Sequence, residues 1–223
     1  VVSHLMGVKN SDELRQAHEQ VLADVVQFGL RVSQSPAIYK GLLAIRDGDA
    51  WRELDEAQRR IIDQKIRAAK HAGVGLSGEA RERFNTIAQE LSQLSTDFSN
   101  HVLDATKAFE FIITDAGETD GWPQPLKQIA AQSWNGTNKE DPKATPDTGP
   151  WRITLDYPSF VPFMEHHRNR AHREQVYRAH ILRASSGVLD NSGLIDRILT
   201  LRREKARLLG YDTYADLSLD SKM

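Results

Sequence analysis

A long amphipathic segment, residues 77–107, constrains the fold of this chain more than any other stretch. Its stripe recurs at steps of three and four residues: Phe84, Ile87, Leu91, Leu94, Phe98, His101/Val102 and Ala105. Residues three and four apart share one face of an α-helix, whereas the period of two in a strand would scatter them over both faces. At about 1.5 Å per residue the helix would be roughly 45 Å long. A helix of that length with one apolar face needs other helices along it, so the pattern predicts a helical array.

The preceding segments supply such helices. Ser11 is expected to cap a first helix, whose apolar stripe comprises Leu14, Ala17, Val21, Val25, Phe28 and Val32. Pro36 is expected to open a second helix, whose buried side would comprise Ile38, Leu42 and Ile45. A third helix is predicted from Asp55, where Gln58 completes a capping box. The short turns between these segments favour antiparallel neighbours.

After residue 107 the apolar period changes. Residues 109–114 are aromatic and β-branched and 151–155 alternate apolar with polar, so the two segments are expected to pair as a small antiparallel ribbon. Between them, 135–150 is polar and rich in turn formers, which predicts an exposed loop. One long helix is predicted over 159–184 and another from Asn191. The predicted fold is therefore mainly α, an antiparallel multi-helix array with a small two-stranded antiparallel β ribbon.

Composition excludes several classes of function. The net charge of −2 gives no basic face for nucleic acid, and no apolar run approaches the ~20 residues that a membrane span requires. The absence of cysteine excludes disulfides and thiolate-bound zinc. Val1 is not an initiator methionine, and Met223 directly follows a helical segment. Both ends are therefore expected to be cut from a longer chain.

The histidines near residue 170 are the obvious candidates for a metal site. Zinc held by a single helix requires ligands three or four residues apart. His167 and His172 are five apart, and His166 and His172 are six apart, so neither pair would share a face of one continuous helix. We therefore predict that Glu165, His166, His167 and His172 are solvated or hydrogen-bonded surface residues. A metal site completed by ligands from elsewhere in the chain is the alternative.

Other catalytic signatures are missing from the sequence. The turn Gly73–Gly78 lacks the strand and the lysine of a phosphate-binding loop, and no Gly-x-Ser-x-Gly elbow occurs. The arginines of 168–183 are interleaved with acidic and apolar residues, which favours a solvated helix over a phosphate groove. The residues therefore predict no catalytic, no cofactor-binding and no metal-binding residue in this chain.

Several segments together resemble a known family. They are Phe98–Thr106, Val176–Ala179, Arg183–Ser185, Asp190–Asn191, Leu201–Ala206 and Leu208–Tyr211. The likeness is to the thimet oligopeptidase family of zinc metalloendopeptidases, and above all to its oligopeptidase A branch. It extends over nearly all 223 residues.

The resemblance implies a function that the residues alone do not. Members of the family are mostly helical, with two lobes around a deep channel, and they hydrolyse short peptides, including pieces of cleaved targeting sequences. Their zinc is held by a His-Glu-x-x-His helix and a further Glu, which lie downstream of the part matched here. Residues 1–223 would thus be a single helical region of the N-terminal lobe, forming a wall of the channel and inactive alone.

The implied partners are the remainder of the peptidase chain and, in the full-length parent, short peptides and zinc. The implied location is the cytoplasm, or the chloroplast or mitochondrion for a plant-type parent. Two alternatives stay open. The chain could be a natural short homologue that acts as a helical binding or regulatory module. The seam from Phe84 to Ala105 could also form a homodimeric coiled coil.

Overall fold

The computed structural model describes residues 2–140 and 143–222, and it is mainly α-helical with one small sheet, which confirms the predicted fold class. The helices are α1 (Val2–Val8), α2 (Asp12–Ser33), α3 (Pro36–Asp47), α4 (Ala50–Glu53), α5 (Glu56–His71), α6 (Gly78–Ala108), α7 (Gln124–Thr137), α8 (Tyr157–His166), α9 (Arg170–Ile181), α10 (Ser192–Leu208) and α11 (Tyr214–Leu219). The strands are β1 (Phe111–Ile113) and β2 (Trp151–Ile153). Internal contacts group the chain into two units, one formed by the residues through Asp97 with those from Gly193 onward, the other by Phe98–Ser192. That residues 1–223 act as a single helical region stays a prediction.

The core of the first unit forms around the long helix that the sequence predicts. Phe84 and Ile87 of α6 are fully buried, as the three-and-four spacing requires. Among the described residues of this unit, the other large apolar side chains that are buried are Ile66 of α5, Leu201 of α10 and Leu217 of α11. Phe84 and Ile87 of α6 thus lie in the core of this unit.

Local sequence determines where α5 begins and ends. Oδ1 of Asp55 accepts a hydrogen bond of 2.8 Å from the backbone N–H of Gln58, and the Gln58 side chain accepts one of 3.0 Å from the N–H of Asp55. This confirms the predicted capping box. Gly73 follows the helix at φ +82°, and a Cβ there would lie 3.0 Å from Cδ1 of Leu76, so the turn requires glycine.

Helix α2 does not bury the stripe that the sequence highlights. None of its 22 residues is fully buried, and Val25 and Phe28 are 61% and 59% exposed. The partly buried side is instead a neighbouring row: Leu14, His18, Leu22, Val26 and Leu30. The helix has two apolar rows, and the pattern alone could not show which one the chain covers. The expected buried side of α3 is wrong for the same reason, since Ile38 is 53% exposed.

Gln34 fixes the C-terminal end of α2 within the first unit. Its side chain is 1% exposed. Its Nε2 donates hydrogen bonds of 2.8 Å to the carbonyl of Ala72 and to Oδ1 of Asn85, while its Oε1 accepts one of 3.1 Å from Nε of Arg81. One buried amide therefore connects α2 with the end of α5 and with α6.

The second unit is organised around the predicted ribbon. Strands β1 and β2 pair antiparallel, with Phe111 opposite Ile153 and Ile113 opposite Trp151. The strands are shorter than predicted, because only three residues of each keep ladder hydrogen bonds. Trp151 and Ile153 are fully buried, in one cluster with Leu126 of α7 and Phe163 of α8.

The polar segment 135–150 is partly structured. Helix α7 continues through Thr137, and the Asn135 side chain exchanges two hydrogen bonds, of 2.9 and 3.0 Å, with the backbone of Ala144. An isolated bridge joins Thr145 to Gly149. The predicted loop also includes Asp141 and Pro142, which lie outside the described residues.

The single helix predicted over 159–184 is wrong. Helix α8 ends at His166, the backbone of His167 is extended, and α9 begins at Arg170. Oδ1 of Asn169 caps α9 by accepting hydrogen bonds from the N–H groups of Ala171 and His172, of which the first is 3.0 Å long. This interruption changes which side chains can meet.

Candidate functional site

A small group of histidine and glutamate side chains forms in the second unit. Among the residues that the structure describes, Glu118, His167 and His172 are the one such group whose donor atoms all lie within 4.8 Å of one another. Glu118 is in a 3₁₀ turn, Ala116–Thr119, and His172 is in the first turn of α9. The break after α8 brings His167 to both of them.

His167 is held in a closed aromatic environment. It is 1% exposed, and its ring stacks on Phe163 at 4.4 Å between ring centres. The indole nitrogen of Trp122 donates a hydrogen bond of 3.2 Å to Nδ1 of His167. An indole N–H can only donate, so this nitrogen of the imidazole must present a lone pair. In the neutral ring the proton is therefore on Nε2, which faces the other two residues.

The two histidines meet nitrogen to nitrogen. Nε2 of His167 lies 3.1 Å from Nδ1 of His172, the ring planes differ by 11°, and the ring centres are 5.3 Å apart. The distance between the two ring centres is longer than the distance between the two nitrogens by roughly the radii of the two imidazole rings. Both nitrogens therefore lie on the line that joins the ring centres, and they face each other. This is the geometry of an N–H···N hydrogen bond. Nδ1 of His172 is also 3.0 Å from Oε2 of Glu118.

The group does not fit a zinc ion. Zinc binds imidazole nitrogens at about 2.0–2.1 Å in tetrahedral geometry, so the lone pairs of two ligating rings must converge on the ion from different directions. Here the two nitrogens point directly at each other, and Nε2 of His167 carries a proton in place of the lone pair that a metal requires. The contacts describe a hydrogen-bonded chain from Trp122 through His167 to His172, with the Glu118 carboxylate beside its end.

Burial also lowers the proton affinity of His167. Desolvation, followed by the nearby charges of His172 and Arg173, lowers the pKa of His167 from 6.5 to about 4, although a hydrogen bond with the Glu118 backbone opposes the shift. His167 is thus neutral at pH 7, and it is closed off from solvent. Its contacts anchor the α8–α9 break to the turn at Glu118.

The sequence-based predictions for this region are partly wrong. Glu165 and His166 do lie at the surface at the end of α8, with side chains 63% and 43% exposed. His167 is buried instead. The spacing argument that kept His167 and His172 apart assumed one continuous helix, and the break removes that assumption. That no residue of the chain is catalytic or metal-binding stays a prediction.

Sequence reasoning missed Glu118 and also Trp122, the hydrogen-bond donor to His167. Glu118 and Trp122 lie more than 40 residues before His167, between β1 and α7, and no local spacing connects them with it. A glutamate in a short turn and a tryptophan before a proline have ordinary structural explanations. Only the tertiary fold could identify them.

No helix in the described part of the chain is long and apolar enough to cross a bilayer.

Comparison with known proteins identifies the relatives of this chain. Residues 1–81 match the N-terminal domain family of neurolysin and thimet oligopeptidase, and residues 163–223 match peptidase family M3. His167 and His172 lie in the second matched region, whereas Glu118 and Trp122 lie outside both.

Several relatives are described as oligopeptidase A. The chain is 49% identical to a probable cytosolic oligopeptidase A of Arabidopsis thaliana over 223 residues, which are 100% of this chain and 32% of the relative. It is also 49% identical to the organellar, chloroplastic/mitochondrial oligopeptidase A of the same plant, covering 28% of that protein. Oligopeptidase A of Escherichia coli (strain K12) is 40% identical over 227 aligned positions, covering 32% of the relative. The chain thus spans about a third of the length of these relatives, and over its whole length it is similar to oligopeptidase A, with two regions that match families of the M3 peptidases.

Proposed function

We propose that this chain is the N-terminal helical part of a zinc-dependent oligopeptidase that hydrolyses short peptides. One observation carries the proposal. All of the chain aligns with oligopeptidase A at 49% identity, yet the alignment takes up only 32% of that relative. A chain so similar along its whole length is expected to fill the same place in an enzyme of the same kind.

In this proposal the chain is a scaffold, and it is catalytically inactive alone. No His-Glu-x-x-His motif occurs in its sequence. The group of Glu118, His167 and His172 (the Glu118 group) offers no substitute metal site. Trp122 fixes the proton on the His167 nitrogen that would have to bind a metal. The zinc of the full-length parent would then be held by residues outside this chain. The part supplied here would be one wall of the channel that admits flexible peptides.

The same reasoning gives the partners and the location. The partners are the remainder of the peptidase polypeptide and, for the assembled enzyme, short peptides. The names of two relatives are cytosolic oligopeptidase A and chloroplastic/mitochondrial oligopeptidase A. We infer one of these compartments for the protein to which this chain contributes.

A chimera tests the proposal. This chain replaces the matching third of the Arabidopsis cytosolic relative, and both the chimera and the isolated chain are assayed with a quenched fluorescent peptide. The chimera is expected to cleave the peptide, to lose activity with a chelator and to regain it with zinc. A folded protein substrate should resist the chimera. Chelator-sensitive cleavage by the isolated chain would overturn the proposal.

One observation favours a second candidate function, a natural short homologue that acts as a helical binding module. The exposed apolar row of α2 could receive a separate protein as well as the remainder of an enzyme. The chimera separates the two functions. A folded but inactive chimera would favour the binding module, and an active one would favour the enzyme scaffold.

A further inference from the structure

Helix α2 presents two apolar rows, of which the chain covers only one. The inner row, Leu22, Val26 and Leu30, is partly buried and leads to the buried Gln34 four residues later. The outer row consists of the valines and the phenylalanine that alternate with it: Val21, Val25, Phe28 and Val32. A helix that is apolar on two sides is normally packed on both sides.

The outer row is a continuous exposed surface. Its four side chains are 45–61% exposed, and their steps of four, three and four residues place them on one face. The guanidinium of Arg31 lies 5.3 Å from the ring centre of Phe28. Scattered exposed apolar residues are ordinary on a soluble protein, but a row four residues long on one helix is typical of an interaction surface.

We propose that the outer row of α2 is the surface on which the part of the oligopeptidase polypeptide outside this chain docks. The inference rests on the proposed function. About two thirds of the length of the relatives lies outside the region that this chain matches, which is ample to cover one helix face. Helix α2 also lies within residues 1–81, the region that matches the N-terminal domain family. The occupant would present apolar side chains to Val25 and Phe28.

The absence of cysteine from the chain makes this surface easy to probe. Val25→Cys places a single thiol in the outer row. Ala23→Cys, two residues away, is the matched control, because positions two apart point to nearly opposite sides of a helix and Ala23 is also exposed. Each substitution is made in the isolated chain and in the chimera, and the rate of reaction with a maleimide dye is measured. The unsubstituted chimera supplies the background from cysteines of the relative.

In the isolated chain both thiols should react at similar rates. In the chimera the thiol of Val25→Cys should react at least about tenfold more slowly than in the isolated chain, while that of Ala23→Cys should change little, because thiol reaction follows exposure. Equal rates for Val25→Cys in the isolated chain and in the chimera would overturn the inference. Protection in the isolated chain that grows with its concentration would also overturn it, since a second copy would then cover the row.

The outcomes for this inference and for the proposed function are distinct. Protection of Val25→Cys in a folded chimera that cleaves no peptide would leave the docking surface in place and reject the peptidase function. Peptide cleavage by a chimera whose Val25→Cys thiol stays reactive would support the peptidase function and reject the docking surface. Circular dichroism of each variant shows whether the helices are intact.

Discussion

The indole nitrogen of Trp122 lies 3.2 Å from Nδ1 of His167 and donates its hydrogen there. This one contact determines the tautomer of a buried histidine, and therefore which of its nitrogens can act on its neighbours. It also separates two interpretations of the Glu118 group, because a metal would need the lone pair where the proton now lies.

Replacement of Trp122 by phenylalanine should destabilise the protein. The variant leaves Nδ1 of His167 buried without a donor, which costs about 1–3 kcal/mol of unfolding free energy. Urea denaturation followed by circular dichroism measures the change. Trp51→Phe is the matched control. Trp51 lies in α4 and is only partly buried, so this substitution should lower the unfolding free energy by less. An unchanged unfolding free energy for Trp122→Phe would contradict the hydrogen bond.

Stability should fall at mildly acidic pH because of His167. Its pKa is about 4 in the folded chain and 6.5 in the reference state, so between these values the unfolded chain takes up a proton that the folded chain does not. The stabilising effect of the neutral ring is complete above pH 6.5 and decreases as the pH falls towards 4. The expected loss over this window is about 3 kcal/mol.

A matched variant isolates this histidine from the carboxylates that titrate in the same range. His167→Asn keeps an acceptor for Trp122 but cannot take up the proton. The difference in unfolding free energy between the parent and this variant should shrink by about 3 kcal/mol from pH 7 to pH 4. His166→Asn, at an exposed position, is the control. The difference in unfolding free energy between the parent and this control should stay constant from pH 7 to pH 4. A difference that does not vary with pH would show that His167 is not the group responsible.

Zinc should have no specific effect on the isolated chain. The in-line approach of His167 and His172 aims their facing nitrogens at each other and not at a shared ion, so neither zinc nor a chelator should change the midpoint of thermal unfolding. Isothermal titration with zinc measures binding directly. Tight binding of one zinc per chain that is lost in His172→Ala would refute this interpretation, and with it the assignment of the family zinc to residues outside the chain.

Substitution of Gln34 by leucine should loosen the attachment of α2. The change leaves the carbonyl of Ala72 and the side chains of Arg81 and Asn85 without a shared partner, at an expected cost of about 1–3 kcal/mol. Hydrogen exchange should increase along α2 before it increases in α6. Gln27→Leu, an exposed neighbour on the same helix, is the control. Equal exchange in both variants would mean that Gln34 does not hold the helix.

The features that the sequence predicts correctly depend on neighbouring residues. The apolar row of α6 and the Asp55–Gln58 capping box are encoded within a few residues of each other, and the ribbon follows from two short β-branched segments. The break between α8 and α9 has a local signal, the cap residue Asn169, although the sequence-based prediction is one long helix.

The rest depends on distant parts of the molecule. Glu118 and Trp122 reach His167 only because the turn after β1 is folded against the end of α8, which no periodicity describes. Likewise, the spacing on α2 shows both apolar rows equally well, and the choice between them depends on which neighbours are present.

The outer row of α2 also determines how a purified sample of this polypeptide should behave. With a net charge of only −2, molecules repel each other weakly, so at high salt the exposed Val25 and Phe28 should form non-specific apolar contacts that lower the solubility. Sulfate salts strengthen such contacts and should precipitate the protein early. Val25→Ser and Phe28→Ser together should therefore give a more soluble preparation, and one better suited to crystallisation.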